Sequence, residues 1–365
     1  MKAKSREVVV DRLDLRDEYS ISLLIHGGWQ FSSGHALAQA GQDDPIDVLE
    51  ASAELGVTTF DCADIYTGVE EIFGRFIKRW ASSSNETQIQ IHTKFVPDWS
   101  DLPIVDRSYV RRIVERSLSR LGLERLDLVQ YYWWRTEVPG FEDTAGWLDE
   151  LKEEGKIGHV GVTNLDVSRI RRLNAVGFVP IINQVQYSLL DRRPERSLAL
   201  HCEGSQTRML GFGSLAGGFL TDRWFGESEP VEFQNRSLIK YRLIIDEFGG
   251  WEAYQALLQT MADIAENHGV EISSVALRWV LDQSQVAGVI CGATRLGQME
   301  RNVSAFSFSI SKSEREALRA HLDLAPGPLG EVFGLERNKA GPHGRIMRND
   351  PVSYTHLTLP PIYSV

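Results

Sequence analysis

ISLLIHGGWQ, residues 21–30, runs from an apolar β-rich segment into two glycines, a tryptophan and a glutamine. In an open doubly wound sheet the first strand usually leads into the phosphate-binding pattern G-x-G-x-x-G. Gly27, Gly28, Trp29 and Gln30 do not supply it. Seven more β-rich runs follow: VTTFDCA (57–63), IQIHTKF (89–95), LDLVQYYW (126–133), HVGVTN (159–164), IINQVQY (181–187), RMLGFG (208–213) and VAGVICG (286–292). Amphipathic helical patterns separate them. YVRRIVERSLSRLGL sets Val110, Ile113, Val114, Leu118 and Leu121 on one face at the helical period. AGWLDELKEEGK does so with Trp147, Leu148 and Leu151 and stops at Gly155, a residue suited to a helix C-terminus. Eight strands alternating with helices read as parallel βαβ units, and eight is the number that closes a barrel. The expected fold is α/β, a (β/α)8 TIM barrel.

The 365 residues are 42% hydrophobic and 24% charged, ordinary for a globular chain. A net charge of −11 argues against a nucleic-acid surface, which needs a basic patch. No apolar run is long enough to span a membrane. The N-terminus lacks the apolar core of a secretory signal. Cys62, Cys202 and Cys291 have no metal-ligand spacing and leave one thiol over in any disulfide scheme, so the expected location is cytoplasmic. Segment 221–282 carries two helical patterns where one is expected, and SKSEREALRAHLDL (311–324) reads as a capped helix before a Gly- and Pro-rich tail. One barrel domain is expected over 1–351. The last stretch, VSYTHLTLPPIYSV (352–365), closely resembles a translated sequencing adapter and is expected to be a disordered, adapter-derived tail.

A barrel of this kind keeps its active site at the C-terminal ends of the strands. The second run ends in Asp61, with Tyr66 five residues on, and the third ends in Lys94. An ammonium beside a phenol lowers the phenol's pKa, and a carboxylate can hold that ammonium charged and in place. The phenol can then protonate a carbonyl oxygen as hydride reaches its carbon. A structural ion pair with a packing tyrosine is the bland alternative; all three residues at neighbouring strand ends favour the chemistry. The fourth run ends in Tyr131, Tyr132, Trp133 and Trp134, four large aromatics that either form a packed corner or line a pocket.

FDCADIYTG, IHTKF, GHVGVTN, INQVQYS and GFGSLAGGFL, taken in order over about 21–308, resemble the aldo-keto reductases. The resemblance implies Asp61, Tyr66 and Lys94 as catalytic aspartate, proton donor and lysine. Asp61 also counts among the cofactor-side residues. The family's usual fourth catalytic residue is a histidine; here its position holds Tyr132, whose hydroxyl could still orient a carbonyl. By the same resemblance Thr163, Asn164 and Gln184 hydrogen-bond a nicotinamide carboxamide, and Phe212 stacks on the ring. Gly213, Ser214, Leu215 and Gly217 lie along the pyrophosphate, and Gly28 and Trp29 form the first cofactor-side loop. Gln298 and Asn302 match adenine-side residues. Gly292 opens a turn whose backbone N–H groups and helix N-terminus can meet an anion, and Thr294 with Arg295 is expected to grip a 2′-phosphate. The cofactor implied is NADP(H). His26 reads as a barrel-interior residue, and His92, which shares the face of Lys94, as a strand-buried one.

The function expected is NADPH-dependent reduction of an aldehyde or ketone to an alcohol, the partner being a small carbonyl substrate, with no metal, nucleic acid or membrane. The alternative is an NADP(H)-binding barrel of little turnover serving as a redox-sensing or regulatory subunit. A phosphosugar-handling barrel would explain the phosphate loop but not the Asp–Tyr–Lys set.

Overall fold

The run 21–28 does not form one strand. In the computed structural model, which describes residues 8–33, 42–83, 87–233 and 236–346, its first half closes a hairpin and its second half opens the barrel. Strands β1 (Arg12–Arg16) and β2 (Tyr19–Ser22) pair antiparallel, and β3 (Leu24–Gly27) is the first barrel strand. Ser22 accounts for the break. Its hydroxyl donates to Leu24 O at 2.7 Å and accepts from the N–H groups of Thr58 and Thr59 at 3.2 and 3.1 Å. A side chain thus replaces the ladder while the chain turns a corner. The hairpin was not legible in the sequence. It stoppers the N-terminal end of the barrel, where Leu15, Tyr19 and Ile21 pack with Ile25, Leu128, Ile182 and Leu210.

The remaining chain is α1 (Pro45–Glu54), β4 (Thr59–Asp61), α2 (Val69–Ser82), β5 (Gln90–Phe95), α3 (Arg107–Leu121), β6 (Leu126–Tyr131), α4 (Phe141–Glu153), β7 (Ile157–Thr163), α5 (Val167–Ala175), β8 (Ile182–Gln186), α6 (Ser197–Glu203), β9 (Arg208–Phe212), α7 (Arg236–Phe248), α8 (Gly250–His268), α9 (Ile272–Leu281), β10 (Val286–Cys291), α10 (Gln298–Val303), α11 (Lys312–Leu324) and α12 (Pro342–Ile346). Strands β3 to β10 close a parallel barrel in chain order, β10 pairing with β3. This is the expected (β/α)8 architecture.

Helix α3 buries Val110, Ile113, Val114, Leu118 and Leu121 as its period predicts, and Gly122 ends it at φ 68°. Helix α11 starts with a reciprocal capping box between Ser311 and Glu314. Segment 221–282 holds three helices rather than two, because Arg236–Phe248 is also helical. The stretch 352–365 lies outside the described residues. Among the described residues no helix is long and apolar enough to cross a membrane. All three cysteines are buried, unpaired thiols.

His26 corrects one expectation. It faces the helical layer, not the barrel interior: its Nδ1 lies 2.9 Å from Ser52 Oγ on α1 and its Nε2 3.2 Å from Ala293 O. Burial lowers its pKa to about 4.

Candidate active site

Parallel register sets the site. Lys94 lies opposite Gln130 across β5 and β6, and Thr163 opposite Gln184 across β7 and β8. With a side-chain period of two, one face of each strand points inward. At the C-terminal ends these inward faces bring a carboxylate, an ammonium and two amides together. Lys94 Nζ donates to Asp61 Oδ2 at 2.6 Å and to Cys62 O at 2.8 Å. Asp61 Oδ1 accepts from Gln130 Nε2 at 2.8 Å and Gln184 Nε2 at 2.7 Å. Lys94 and Asp61 are each 5% exposed as side chains, so this ion pair is effectively dry. Every lone-pair direction of Asp61 in use is met by a donor, which a buried charge requires.

Gln130 is a site residue that the sequence reading missed. A signal existed: it is a polar residue two positions before Tyr132, on the inward face of an otherwise apolar run. Gln184 was expected to bind a carboxamide. Its Nε2 donates to Asp61 Oδ1 and to Gln130 Oε1, the latter at 2.8 Å. Thr163 Oγ1 donates to Gln184 O at 3.1 Å, and Asn164 takes the left-handed φ of 53° at the barrel mouth.

Tyr66 stands over this pair. Lys94 Nζ lies 5.0 Å from the Tyr66 ring centroid, and the Trp29 ring centroid lies 4.7 Å from it, tilted by 60°. Burial raises the Tyr66 pKa, and the charge of Lys94 offsets only part of that rise. The expected net lowering is therefore reversed. Burial also opposes the charge of Lys94, but Asp61 outweighs it and the ammonium is held firmly protonated. A phenol whose pKa is raised keeps its proton throughout the neutral range, which is the state a proton donor needs. His92 lies one layer deeper. Its Nε2 meets the Tyr19 hydroxyl of the hairpin at 2.8 Å, and burial lowers its pKa to about 4.

The four aromatics after Gln130 divide by alternation. Tyr131 and Trp133 are fully buried in the helical layer; the Tyr131 hydroxyl donates to Phe141 O at 2.8 Å and its ring stacks on Phe141 at 5.5 Å. Tyr132 and Trp134 are half-buried and turn to the mouth, edge to face at 4.9 Å. The stretch is thus a packed corner on one face and part of the barrel mouth on the other. Arg337, from the segment after α11, lies 4.9 Å over the Tyr132 ring and donates to Trp134 O at 3.2 Å. Burial raises the Tyr132 pKa, with Arg337 opposing. Trp224, which could have joined this wall, packs instead on Phe219 and Trp251.

The opposite rim is shaped by α7, which the sequence reading did not foresee. A Cβ on Gly213 would fall 2.1 Å from the Tyr241 hydroxyl, and one on Gly217 would fall 2.5 Å from its ring. These glycines, at φ 67° and 65°, are thus required by Tyr241. Lys240 lies 5.3 Å over the Phe212 ring and pairs with Glu336 at 2.5 Å. Ser214 is buried, its hydroxyl directed at Gly211 O, and Leu215 is half-buried beside it. Gly28 sits where a Cβ would strike Val69 and Phe73.

The loop after β10 is tied down by side chains. Its backbone donors are already used: Gln298 Oε1 accepts from Thr294 N at 2.7 Å and Arg295 N at 2.9 Å, and Asp43 Oδ2 accepts from Leu296 N at 2.7 Å. Gly292 is covered by the Gln30 side chain. Asn302 Nδ2 turns to Cys291 Sγ at 3.3 Å. Arg295 lines an outer groove of about 380 Å³ between α1 and α10, in company with Glu54 and Glu300.

A closed parallel barrel with a dry carboxylate–ammonium pair beneath a half-exposed tyrosine at its C-terminal rim defines a barrel oxidoreductase. Residues 23–323 match the aldo/keto reductase family, and the chain belongs to that family. It is 27% identical to the aldo-keto reductase YhdN of Bacillus subtilis over 79% of this chain and 86% of that one. It is 27% identical to the NADH-specific methylglyoxal reductase of Escherichia coli, over 83% of this chain and 95% of the relative. Among solved structures it resembles the glycerol dehydrogenase of Gluconobacter oxydans, with a TM-score of 0.71 at 22% identity, over 89% of this chain and 98% of that one.

Proposed function

We propose that this oxidoreductase reduces an aldehyde or ketone to an alcohol with a nicotinamide nucleotide, Tyr66 giving the proton. The observation that carries the reading is the Asp61–Lys94 pair at 2.6 Å beneath the Tyr66 ring. Tyr66, Trp29, Phe212 and Asn164 are each partly exposed at or just beyond the C-terminal ends of barrel strands, where the nucleotide would lie. When bound, the nicotinamide supplies hydride. Tyr66 keeps its hydroxyl protonated until the carbonyl oxygen gains charge, and Lys94 then favours the phenolate left behind. Asp61, locked by Gln130 and Gln184, keeps Lys94 charged and aimed. Phe212 and Trp29 flank the opening and exclude water. Nothing in the site favours the regulatory reading. Mixing the protein with reduced nucleotide and a panel of aldehydes, and following absorbance loss, tests the proposal; no loss with any carbonyl would overturn it.

The pH profile follows from the pKa directions. Reduction needs Tyr66 protonated, and burial moves its titration above the ordinary value. Turnover should therefore hold from neutral pH to roughly pH 10, the ordinary tyrosine range, and fall only above it. His92, with its pKa near 4, should add no limb between them. A fall centred below the ordinary tyrosine range would show that another group donates.

Tyr132 is assigned as an orienting donor to the carbonyl oxygen. Tyr132→Phe should lower kcat/KM by about tenfold or less, the scale of one neutral hydrogen bond. Tyr132→His should keep or raise reduction and add a limb at roughly pH 6.5. Loss of all turnover in Tyr132→Phe would mean that this tyrosine, not Tyr66, moves the proton.

A further inference from the structure

We infer that the cleft at the N-terminal end of the barrel, opposite the candidate active site, binds a small anion of linked phosphates through Arg16, Arg125 and Arg208. None of its residues belongs to the C-terminal rim, so the site stands apart from the carbonyl chemistry.

The cleft holds about 1290 Å³ beside the hairpin. Arg12 and Arg16 enter it from β1, Arg125 from the residue before β6, and Arg208 from the first residue of β9. Elsewhere arginines meet carboxylates: Arg79 pairs with Glu50, Arg172 with Glu142 and Arg315 with Asp282. The cleft arginines make no such pair among the described residues, and neutral oxygens anchor three of them. Arg16 donates to Leu15 O at 2.6 Å and to Gln206 O at 3.1 Å, Arg208 to Gln285 Oε1 at 2.7 Å, and Arg12 to Ser20 O at 2.7 Å. Such bonds aim a guanidinium without cancelling its charge. Each guanidinium has five N–H donors, so several stay free for a ligand. Arg125 packs on Gly158, where a Cβ would fall 2.8 Å from its Nη2. Asp127, whose charge Arg125 feels, gives its Oδ2 to Ile91 N at 2.7 Å.

The positive charges converge on His159 of β7, a half-buried residue whose ring lies 4.2 Å from that of Tyr19. Its pKa is lowered to about 4, by burial first and then by the charges of Arg125, Arg16 and Lys152. Burial lowers the Arg16 pKa too, and the charge of Arg208 adds to that. Cations that oppose one another's charge are relieved by an anion placed among them. A phosphate can take two parallel hydrogen bonds from one guanidinium, and three guanidiniums match the several charges of linked phosphates. Asp14, Asp17 and Glu18 stand exposed on the hairpin at the lip of the cleft. On a chain of net charge −11 they repel a long polyanion such as nucleic acid, so the ligand has to be compact enough to pass them.

The test is calorimetric titration of the full chain with inorganic pyrophosphate and with inorganic phosphate, on the wild type, Arg16→Gln, Arg125→Gln and Arg295→Ala. Wild type should bind one pyrophosphate, about tenfold or more tighter than phosphate, the scale of an added charge-assisted contact. Arg16→Gln and Arg125→Gln should each weaken pyrophosphate by about tenfold or more. Arg125 is exposed, so its variant reads the site even where Arg16→Gln disturbs the hairpin. Arg295→Ala, at the other end of the barrel, should bind as wild type does. Absence of binding by wild type, equal affinity for the two anions, unchanged affinity in Arg125→Gln, or selective loss in Arg295→Ala would each overturn the inference and leave the carbonyl-reductase reading standing.

Discussion

Tyr66→Phe should lower turnover by about 100-fold or more, the usual scale for a lost general acid, while nucleotide binding and melting temperature stay near wild type. The substitution removes one oxygen. The Tyr66 ring keeps its contact with Trp29 at 4.7 Å and its place above Lys94, so binding surfaces are preserved. What disappears is the hydroxyl of the ring that lies over the buried ammonium. The loss should fall on kcat and on kcat/KM alike, because the proton moves only as charge develops on the carbonyl oxygen. Turnover within a few-fold of wild type would remove Tyr66 from the donor role, and a matching collapse in Tyr132→Phe would reassign it.

Lys94→Met should damage stability and chemistry together. It leaves Asp61, with a side chain only 5% exposed, as a carboxylate without its cation. Breaking a buried pair from one side costs about 3–5 kcal/mol, which for a domain of this size reads as a fall of roughly 5–15 °C in melting temperature. The amides of Gln130 and Gln184 still donate to Asp61 Oδ1 but carry no charge to offset it. Asp61→Asn combined with Lys94→Met should recover much of the lost stability, since an amide oxygen can accept from both glutamines with no charge to bury. It should not recover turnover, because the ammonium that favours the Tyr66 phenolate is gone. A double variant as unstable as Lys94→Met would mean that the lysine contributes by packing rather than by pairing. Full turnover in either variant would mean that Tyr66 needs no cation beneath it.

The barrel was legible because its signals are local. A run such as LDLVQYYW and a pattern such as that of Val110, Ile113, Val114, Leu118 and Leu121 each report their own element, and eight such pairs in series close one fold. The hairpin before β3 was hidden for a local reason too. Its second strand and β3 are continuous in hydrophobicity, and only the Ser22 hydroxyl, bonding across to Thr58 and Thr59, marks the corner. The aromatic stretch 131–134 shows what periodicity alone could settle once the direction of one side chain was known: two rings pack outward, two face the mouth.

By itself the sequence determined which residue types stand at the C-terminal ends of the strands, and so the candidacy of Asp61, Tyr66 and Lys94. Strand order and a period of two are enough for that. The tertiary structure decided what surrounds them. Gln130 and Gln184 meet on one carboxylate because neighbouring strands fall in a particular register, and burial overrides Lys94 in setting the direction of the Tyr66 pKa. Arg337 reaches Tyr132 and Asp43 reaches Leu296 across 205 and 253 residues of chain, distances over which no pattern in the sequence carries information. Electrostatics depends on separation in space and on how much water is excluded. Both are properties of the closed barrel and of the segments folded over its mouth.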